Sequence, residues 1–387
     1  MILGIDASNI SSGGGLTHLR NLLLHVEPKN YGFERVIVWA SDSTLDVLEG
    51  REWLVKRRHP LLQKGIVARS HWKMIKLPLA LKIENCQLLF VPGGSYLGSF
   101  RPFITMSRNL LPFQYRELLR FGATLMTLKL LLLRVLQSLT YNRASGLIFL
   151  TDFAAKNILE IIGSTESAVR VIPHGIDAAF FNAPAVEPRF PSPDSAHSPL
   201  KLIYVSMIDF YKHQWKVIHA VKLLRNEGYP VTLELLGPAR ISAHRKLERY
   251  VRKFSLEGEF WNYAGPCEHE LLPAKYREAD ICIFASSCEN MPNILMEGMA
   301  SGLPIACSRR SPMLDILGDA GVYFEPTDEV EIFEAIKKLI DSVSLRRKLA
   351  ENAQQLASQY SWSRCADETF EFLGEIAHKH TATAQDV

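Results

Sequence analysis

The chain alternates between short apolar runs rich in β-branched residues and longer stretches in which apolar residues recur at helical spacing. The short runs lack the apolar–polar alternation of a half-exposed strand, and this is typical of strands buried on both faces of a parallel sheet. The sequence therefore predicts an α/β fold with helices on both faces of parallel sheets. The predicted strands are Ile2–Ile5, Val36–Ala40, Leu88–Pro92, Phe103–Ser107, Leu147–Thr151, Val169–Ile172, Lys201–Ser206, Val231–Gly237, Phe260–Ala264, Ile281–Ala285, Pro304–Ser308 and Val322–Glu325.

A proline-rich stretch at residues 183–199 interrupts this pattern, and prolines so dense fit neither helices nor central strands. We expect a linker there, between a doubly wound domain at residues 1–182 and a second one at residues 200–360. Residues 361–387 are expected to form a helix over Ser361–Ala377 that crosses back to the first domain, followed by a tail. Ligands are expected in a cleft that the two domains face, at the carboxyl ends of the strands.

Composition excludes a disordered or fibrous chain, because 47% of the 387 residues are hydrophobic and 22% are charged. The net charge of +3 hides an asymmetry: residues 51–143 hold 16 basic and 3 acidic residues. Such an excess predicts an anionic partner, for instance a membrane surface or a phosphorylated substrate. We see no helix-turn-helix, zinc finger or aromatic-interleaved basic strand, so nucleic acid is not expected as a partner.

The six cysteines form no C-x-x-C pair, and the amino terminus has the pattern of a first strand rather than a signal peptide. We therefore expect a cytoplasmic protein.

Two loops carry residues that suit phosphate binding. Ser11–Gly15 lies between the first strand and a helix expected near Leu16, and its glycines would let the backbone approach an anion. A flexible turn fits this loop equally well. Lys212 follows the strand Lys201–Ser206, where a lysine can hold a phosphate as a point charge or stay exposed without a role.

Glu289 and Glu297 form the most informative pair of acidic residues. Glu289 follows the strand Ile281–Ala285, and Pro292 suits the first position of the helix that carries Glu297. Carboxylates at these places can accept hydrogen bonds from sugar hydroxyls, although acidic residues are also common in the first turn of any helix.

The window Ala285–Ile305 reads ASSCENMPNILMEGMASGLPI and resembles a signature segment of the retaining glycosyltransferases of family 4, which have the GT-B fold. The resemblance includes two glutamates with seven residues between them. The segments Val171–Asp177 and Asp315–Gly321 resemble further family motifs, in the correct order, so that the similarity spans roughly residues 140–345.

The resemblance implies a role for each matching residue. Glu289 would face the transferred sugar as the catalytic residue, and Glu297 would bind the ribose of a nucleotide-diphosphate sugar. The remaining donor-binding residues would be Lys212, Gly14, Gly15, Asn290, Met291 and Asn293, the last three at a helix start that offers backbone N–H groups.

The chain departs from the family at Met207, where an arginine usually shares the phosphate load with the lysine. Arg240 and Arg309 are candidates for its replacement by loop position. Asn290 and Gly298 replace a glycine and an alanine.

The implied reaction displaces a nucleotide diphosphate from an anomeric carbon. Lys212 and helix amino ends can stabilise the leaving charge, and no D-x-D sequence is present, so we expect neither a metal nor another cofactor. A non-catalytic nucleotide-sugar-binding or scaffold protein is the alternative, favoured by Met207. A GT-B epimerase fits the family 4 window less well.

The leucine-rich segment Tyr115–Thr140 has too few consecutive uncharged residues to span a membrane. It is either a core helix or a helix that lies on anionic lipid, with Arg116, Arg120 and Arg134 on one face. We expect the first domain to bind the acceptor through Arg108 and Asn109. A lipid-linked saccharide acceptor, used in surface polysaccharide or lipopolysaccharide assembly at the inner face of the cytoplasmic membrane, would account for the basic charge.

Overall fold

The computed structural model describes residues 1–11, 13–163, 165–181 and 199–385. These residues separate into two compact units. The first comprises Met1–Leu118, Ala123–Gly175 and Tyr360–Val387, and the second comprises Leu119–Gly122 and Ile176–Gln359. The predicted linker at 183–199 lies outside the described residues, apart from Pro199. The final helix is grouped with the first unit.

The first unit is built on a sheet of seven parallel strands in the order β3-β2-β1-β4-β5-β6-β7. The order reverses between β1 and β4, which is the topological switch point of a doubly wound sheet. The strands are β1 (Ile2–Asp6), β2 (Arg35–Trp39), β3 (Leu54–Arg57), β4 (Leu88–Val91), β5 (Phe103–Met106), β6 (Gly146–Phe149) and β7 (Ala168–Val171).

The second unit has a sheet of six parallel strands in the order β10-β9-β8-β11-β12-β13, with its switch point between β8 and β11. The strands are β8 (Leu200–Val205), β9 (Val231–Leu236), β10 (Trp261–Gly265), β11 (Ile281–Phe284), β12 (Ile305–Ser308) and β13 (Gly321–Phe324). The predicted parallel α/β architecture is therefore confirmed in both halves.

Helices connect the strands in both units. They are α1 (Gly13–Leu24), α2 (Asp42–Asp46), α3 (Ile66–His71), α4 (Leu77–Ile83), α5 (Tyr115–Leu119), α6 (Leu125–Tyr141), α7 (Asp152–Ile162), α8 (Gln214–Asn226), α9 (Ile241–Lys253), α10 (Leu272–Arg277), α11 (Asn293–Ala300), α12 (Met313–Leu317), α13 (Glu329–Ile340), α14 (Val343–Ala357) and α15 (Trp362–Gln385). A π-helical turn, Trp72–Lys76, joins α3 to α4.

Every predicted strand is present within a residue or two of its expected ends. The signal is strongest for β4, β5, β6, β11 and β12, which are buried throughout and mostly apolar. The strand β3 was not predicted. It lies at the edge of its sheet and is only half-buried, and its last two residues are Lys56 and Arg57, so it lacks the apolar signal.

The expectation of one continuous helix over Tyr115–Thr140 is wrong. Two helices, α5 and α6, occupy this stretch, and Gly122 between them has a φ of 65°, in the left-handed region that favours glycine. Thr124 then caps α6, its hydroxyl accepting the N–H of Thr127 at 3.4 Å.

Candidate functional site

The loop that follows β8 is held against the neighbouring strands by backbone hydrogen bonds. The N–H of Ile208 donates to Pro238 at 2.8 Å on one side, and the N–H of Ser287 donates to Tyr211 at 2.8 Å on the other. The Tyr204 hydroxyl, inside the unit, donates to the carbonyl of Lys212 at 2.7 Å. These bonds fix Lys212 at the switch point between β8 and β11.

His213, the residue before α8, completes this anchoring. It adopts a left-handed conformation with φ 52° and ψ 30°, and its Nε2 lies 2.9 Å from the Oγ of Ser287. Burial, with nearby arginine and lysine charges, lowers the pKa of His213 to about 3. A neutral histidine therefore ties the β8 loop to the β11 loop.

Lys212 and Glu289 form an ion pair between Nζ and Oε1 at the carboxyl ends of β8 and β11. Both side chains are largely enclosed, and Nζ also lies 5.3 Å from the ring centroid of Phe284. Burial raises the pKa of Tyr204 and Tyr211, and the charge of Glu289 raises both further. The structure thus brings together two residues 77 positions apart that were predicted separately.

Glu297 is buried on α11 and uses only one of its two carboxylate oxygens. Its Oε1 lies 3.1 Å from Nε2 of His269, whereas Oε2 has no hydrogen-bond partner among the described residues. Burial raises the pKa of Glu297, and the bond to His269 opposes that rise; the same bond raises the pKa of His269. An enclosed carboxylate with a spare oxygen can accept a hydrogen bond from a ligand hydroxyl.

The start of α11 holds the three other predicted donor-binding residues of this unit. Asn290 and Met291 are buried, and Asn293 is half-buried with an Oδ1 that finds no partner in the described chain. The helix begins one residue later than expected, with Pro292 as its cap. The N–H of Asn293 donates to Met291 at 3.1 Å, so that this amide is already engaged.

Neither arginine that was expected to compensate for Met207 is free to do so. The Nε of Arg240 donates to both oxygens of the buried Asp209, at 3.0 and 3.1 Å. Arg309 is paired with Glu331. Loop position suggested both candidates, but these carboxylates, which only the fold brings near, neutralise them.

Of the four residues predicted to bind ligands in the first unit, Gly14, Gly15 and Arg108 lie together and Asn109 lies in a separate turn. Gly15 lies in the first turn of α1 against the guanidinium of Arg108, while Gly14 is its exposed neighbour. Asn109 is exposed, and its Oδ1 accepts the N–H of Leu111 at 3.1 Å, which caps the following turn. Arg108 is therefore adjacent to the glycine loop, and Asn109 has a local structural role.

Sequence reasoning missed His269, Ser287 and Asp209, which position the predicted residues. Each lies in the connection that follows a strand, His269 at the start of a short 3-10 helix, and this placement was the one available signal. No motif in the sequence distinguishes them from other polar loop residues.

Helix α6 presents several leucines to solvent and several polar residues to the interior, although Leu130 is buried. Gln137, Thr140 and Tyr141 are buried, and Thr140 Oγ1 accepts the N–H of Tyr96 at 3.0 Å. The exposed apolar residues are Leu125, Leu128, Leu131, Leu132, Val135 and Leu139. The core-helix interpretation of this segment is therefore wrong for its leucine face.

The segment 66–83 is exposed in the same way and is anchored to the same loop, because Lys73 Nζ donates to the carbonyl of Ser95 at 2.9 Å. Its exposed apolar residues are Ile66, Val67, Met74, Ile75, Leu79 and Ile83. We call the exposed apolar residues of this segment and of α6, taken together, the apolar surface. None of the helices in the described chain is both long enough and apolar enough to cross a bilayer.

Comparison with known proteins first shows a likeness to one class of protein. Residues 187–356 match the family model described as "Glycosyl transferases group 1". This segment contains Lys212, Glu289 and Glu297, which the fold brings to the carboxyl end of the second sheet.

Individual glycosyltransferases are similar to part of the chain. The O-antigen chain mannosyltransferase B of Escherichia coli is 26% identical over 173 residues, which are 43% of this chain and 44% of that protein. The chain spans about half the length of the curated relatives it matches first.

The solved structures of other proteins superimpose on almost the whole chain. Sucrose-phosphate synthase from Thermosynechococcus elongatus superimposes with a TM-score of 0.73 at 17% identity, covering 99% of this chain and 100% of that one. Anabaena HepE in complex with UDP-glucose gives a TM-score of 0.67 at 16% identity, covering 99% and 100%. The protein has the GT-B fold, as the resemblance predicted.

Proposed function

We propose that the protein is a retaining glycosyltransferase of family 4, which transfers a sugar from a nucleotide-diphosphate donor to a saccharide acceptor. The observation that carries this proposal is the placement of Lys212 beside Glu289 at the switch point, with the spare oxygen of Glu297 on the adjacent helix. The matches to glycosyltransferases support it.

The charges of the site suit the departure of a diphosphate. Negative charge builds on the leaving group as the anomeric bond breaks, and a preorganised cation stabilises it most where water is excluded. Lys212 is such a cation, and it is paired with Glu289. A donor diphosphate would compete for Nζ and so release the Glu289 carboxylate towards the sugar. No metal or other cofactor is needed for this step.

Glu297 is the proposed ribose ligand. A carboxylate accepts hydrogen bonds from the hydroxyls of a vicinal diol, and Oε2 has that capacity unused. HepE was crystallised with UDP-glucose, which supports a nucleotide sugar as the donor class. Asn290, Met291 and Asn293 would line the same donor site.

The first test is a thermal-shift screen with UDP, GDP, ADP and dTDP sugars. A true donor at 100 times its Kd stabilises the folded state by about 2.7 kcal/mol. Transfer is then measured with wild type and Glu289→Gln, and NMR of the product gives its anomeric configuration. We expect Glu289→Gln to bind the donor and to lose at least a hundredfold in turnover.

The outcomes separate the candidate functions. Equal transfer rates would remove Glu289 from the mechanism, and an inverted product would exclude retention. Donor binding without transfer to any acceptor would favour a non-catalytic nucleotide-sugar-binding protein.

We further propose a lipid-linked saccharide as acceptor, bound by the first unit at the cytoplasmic face of a membrane in surface polysaccharide assembly. The apolar surface supports this, because side chains such as Leu125 and Val67 are 86% and 80% exposed. Basic residues nearby, among them Lys129 and Lys76, suit an anionic headgroup layer. The likeness to an O-antigen mannosyltransferase agrees with this pathway.

Vesicle flotation tests the membrane proposal. Wild type is expected to float with anionic vesicles at low salt and less at high salt. The double variant Leu128→Glu, Leu132→Glu should stay in solution, whereas the control Ile241→Glu, at an exposed apolar residue of the second unit, should float like wild type. Absence of wild-type flotation at low salt would overturn the proposal.

A further inference from the structure

The loop at residues 95–101 joins the two halves of the apolar surface. From the segment that carries one half, Lys73 Nζ donates to the carbonyl of Ser95 at 2.9 Å. From α6, which carries the other half, the hydroxyl of Thr140 accepts the N–H of Tyr96 at 3.0 Å. Both halves of the apolar surface are therefore anchored to this one loop.

Two arginines converge on the same loop from different places in the chain. Arg101 Nη1 donates to the carbonyl of Gly98 at 3.3 Å, and Arg143 Nη2 donates to the same carbonyl at 3.2 Å. Arg101 Nη1 also donates to Phe100 at 2.7 Å, and Arg143 Nη1 donates to Leu97 at 3.3 Å. Because the two guanidinium groups share one acceptor, they are held as neighbours.

Neither arginine has a carboxylate partner within the described part of the chain, where their hydrogen bonds all go to backbone carbonyls. These bonds leave Nε and Nη2 of Arg101 unused among the described residues. Burial, and then the charge of Arg143, lowers the pKa of Arg101. Two neighbouring cations repel each other, and an anion that contacts both would replace this repulsion by attraction. Both side chains are exposed, so that such an anion can reach them.

Arg143 continues the exposed apolar row of α6. Val135, Leu139 and Arg143 follow one another at i, i+4 spacing, which places them on one side of a helix. Although α6 ends at Tyr141, the N–H of Arg143 donates to the carbonyl of Thr140 at 3.2 Å, so that the chain is still turning there. Val135 and Leu139 are 55% and 49% exposed. The arginine pair therefore lies at the carboxyl end of this apolar row.

The charge of this region suits an anionic bilayer. The segment 66–83, the loop 95–101 and α6 contain no acidic residue. A bilayer of anionic phospholipid presents apolar chains and phosphates side by side, and it can cover exposed leucines while its phosphates meet the cations next to them. A free anion would satisfy the arginines but would leave the leucines in water.

We propose that Arg101 and Arg143 form a clamp for the phosphate of an anionic phospholipid, at the carboxyl end of the apolar row of α6. Two guanidinium forks can donate to one phosphate at once and fix its position, whereas exposed lysines such as Lys129 and Lys76 attract the headgroup layer as point charges. This inference rests on the membrane contact proposed above and adds a lipid site to it.

The first experiment titrates vesicles of phosphatidic acid and phosphatidylcholine into the full chain at low salt. Attraction by charge alone makes one basic residue near the bilayer contribute about fivefold in affinity, and Lys129→Gln sets this reference. We expect Arg101→Gln and Arg143→Gln each to lose about 10- to 150-fold, as for a lost hydrogen bond to a charged group. The double variant should lose little more, because one arginine cannot close the clamp.

The decisive variant is Arg143→Lys, which keeps the positive charge and removes the guanidinium fork. Charge alone predicts wild-type affinity for this variant, and the clamp predicts a loss of about tenfold or more. Its Tm, compared with that of wild type, shows whether the loop is intact, and Arg101→Lys repeats the test from the other arginine. Wild-type affinity of both lysine variants would overturn the clamp.

A comparison of lipids tests the clamp in the wild-type chain, without any substitution. Vesicles in which oleate replaces phosphatidic acid, at matched surface charge, present carboxylates instead of phosphate monoesters. The clamp predicts about tenfold tighter binding to the phosphatidic acid vesicles, and equal binding would overturn it. Inorganic phosphate that binds as tightly as the lipid, at equal accessible phosphate, would identify a site for a free anion and overturn the lipid assignment.

The outcomes separate this inference from the membrane proposal. Vesicle binding that is lost in Leu128→Glu, Leu132→Glu but unchanged in Arg143→Lys would leave the membrane contact intact and refute the clamp. Failure of wild type to bind any anionic vesicle would overturn both. Neither result would affect donor binding by the second unit, which the nucleotide-sugar screen measures separately.

Discussion

Replacing Glu297 by glutamine tests the proposed ribose contact, because it changes one oxygen into an amide nitrogen with little change in shape. The Oε2 of Glu297 is enclosed and has no partner in the described residues, whereas Oε1 is occupied by His269. A hydrogen bond to a charged acceptor contributes about 1.5–3 kcal/mol. With one such bond lost, we expect the Kd of the nucleotide diphosphate to rise about 10- to 150-fold.

Isothermal titration of wild type and Glu297→Gln measures this change at neutral pH. The matched control is Glu234→Gln on β9, whose carboxylate pairs with Lys275 at 3.2 Å in the same unit. It should leave nucleotide affinity unchanged. Affinities of Glu297→Gln within twofold of wild type, or an equal loss in the control, would refute the assignment.

The pH dependence gives a second check on Glu297. Burial raises its pKa, so that the carboxylate protonates on acidification earlier than an exposed glutamate would. Because the proposed contact needs the ionised form, nucleotide affinity should fall as the pH drops through that pKa. His269→Ala removes the hydrogen bond that holds the pKa down, and it should move this fall to higher pH.

Three stability predictions follow from buried groups. Burial lowers the pKa of His174 to about 3 in the folded chain, whereas an exposed histidine titrates near 6.5, so the unfolded chain binds this proton first and stability falls as the pH drops below 6.5. Between pH 6.5 and 4.5 we expect the free energy of unfolding, measured with urea, to fall by about 2 kcal/mol. Gly175→Ala places a Cβ 2.2 Å from the backbone nitrogen of Trp362 and should destabilise the first unit by about 3 kcal/mol, seen as a lower Tm. Arg240→Met leaves the buried Asp209 unpaired and should destabilise the second unit by about 3 kcal/mol.

Each of these has a matched comparison. His174→Gln should flatten the acid dependence, and an unchanged slope would contradict the histidine argument. Gly65→Ala, where no atom lies within 4 Å of the added Cβ, should leave the Tm near that of wild type. The double variant Asp209→Asn, Arg240→Met should recover most of the stability lost in Arg240→Met, since it removes the unpaired charge.

The two parallel sheets, and the loops and helix that carry Lys212, Glu289 and Glu297, could be predicted from the amino-acid sequence alone. Central strands of parallel sheets are local apolar runs, and residues at their carboxyl ends converge on one edge whatever the detailed packing. The edge strand β3 escaped prediction because half-buried, charged edges lack that signal.

Which charged side chains are paired could not be predicted from the sequence. Arg240 and Arg309 were candidates by loop position, yet Asp209 and Glu331 neutralise them, while Arg108 is left without a carboxylate and packs against Gly15. Ion pairing depends on distances of a few ångströms between residues far apart in the chain, and no local pattern encodes them. Only the fold shows which leucines of α6 are exposed, because exposure depends on what the rest of the chain packs against the helix.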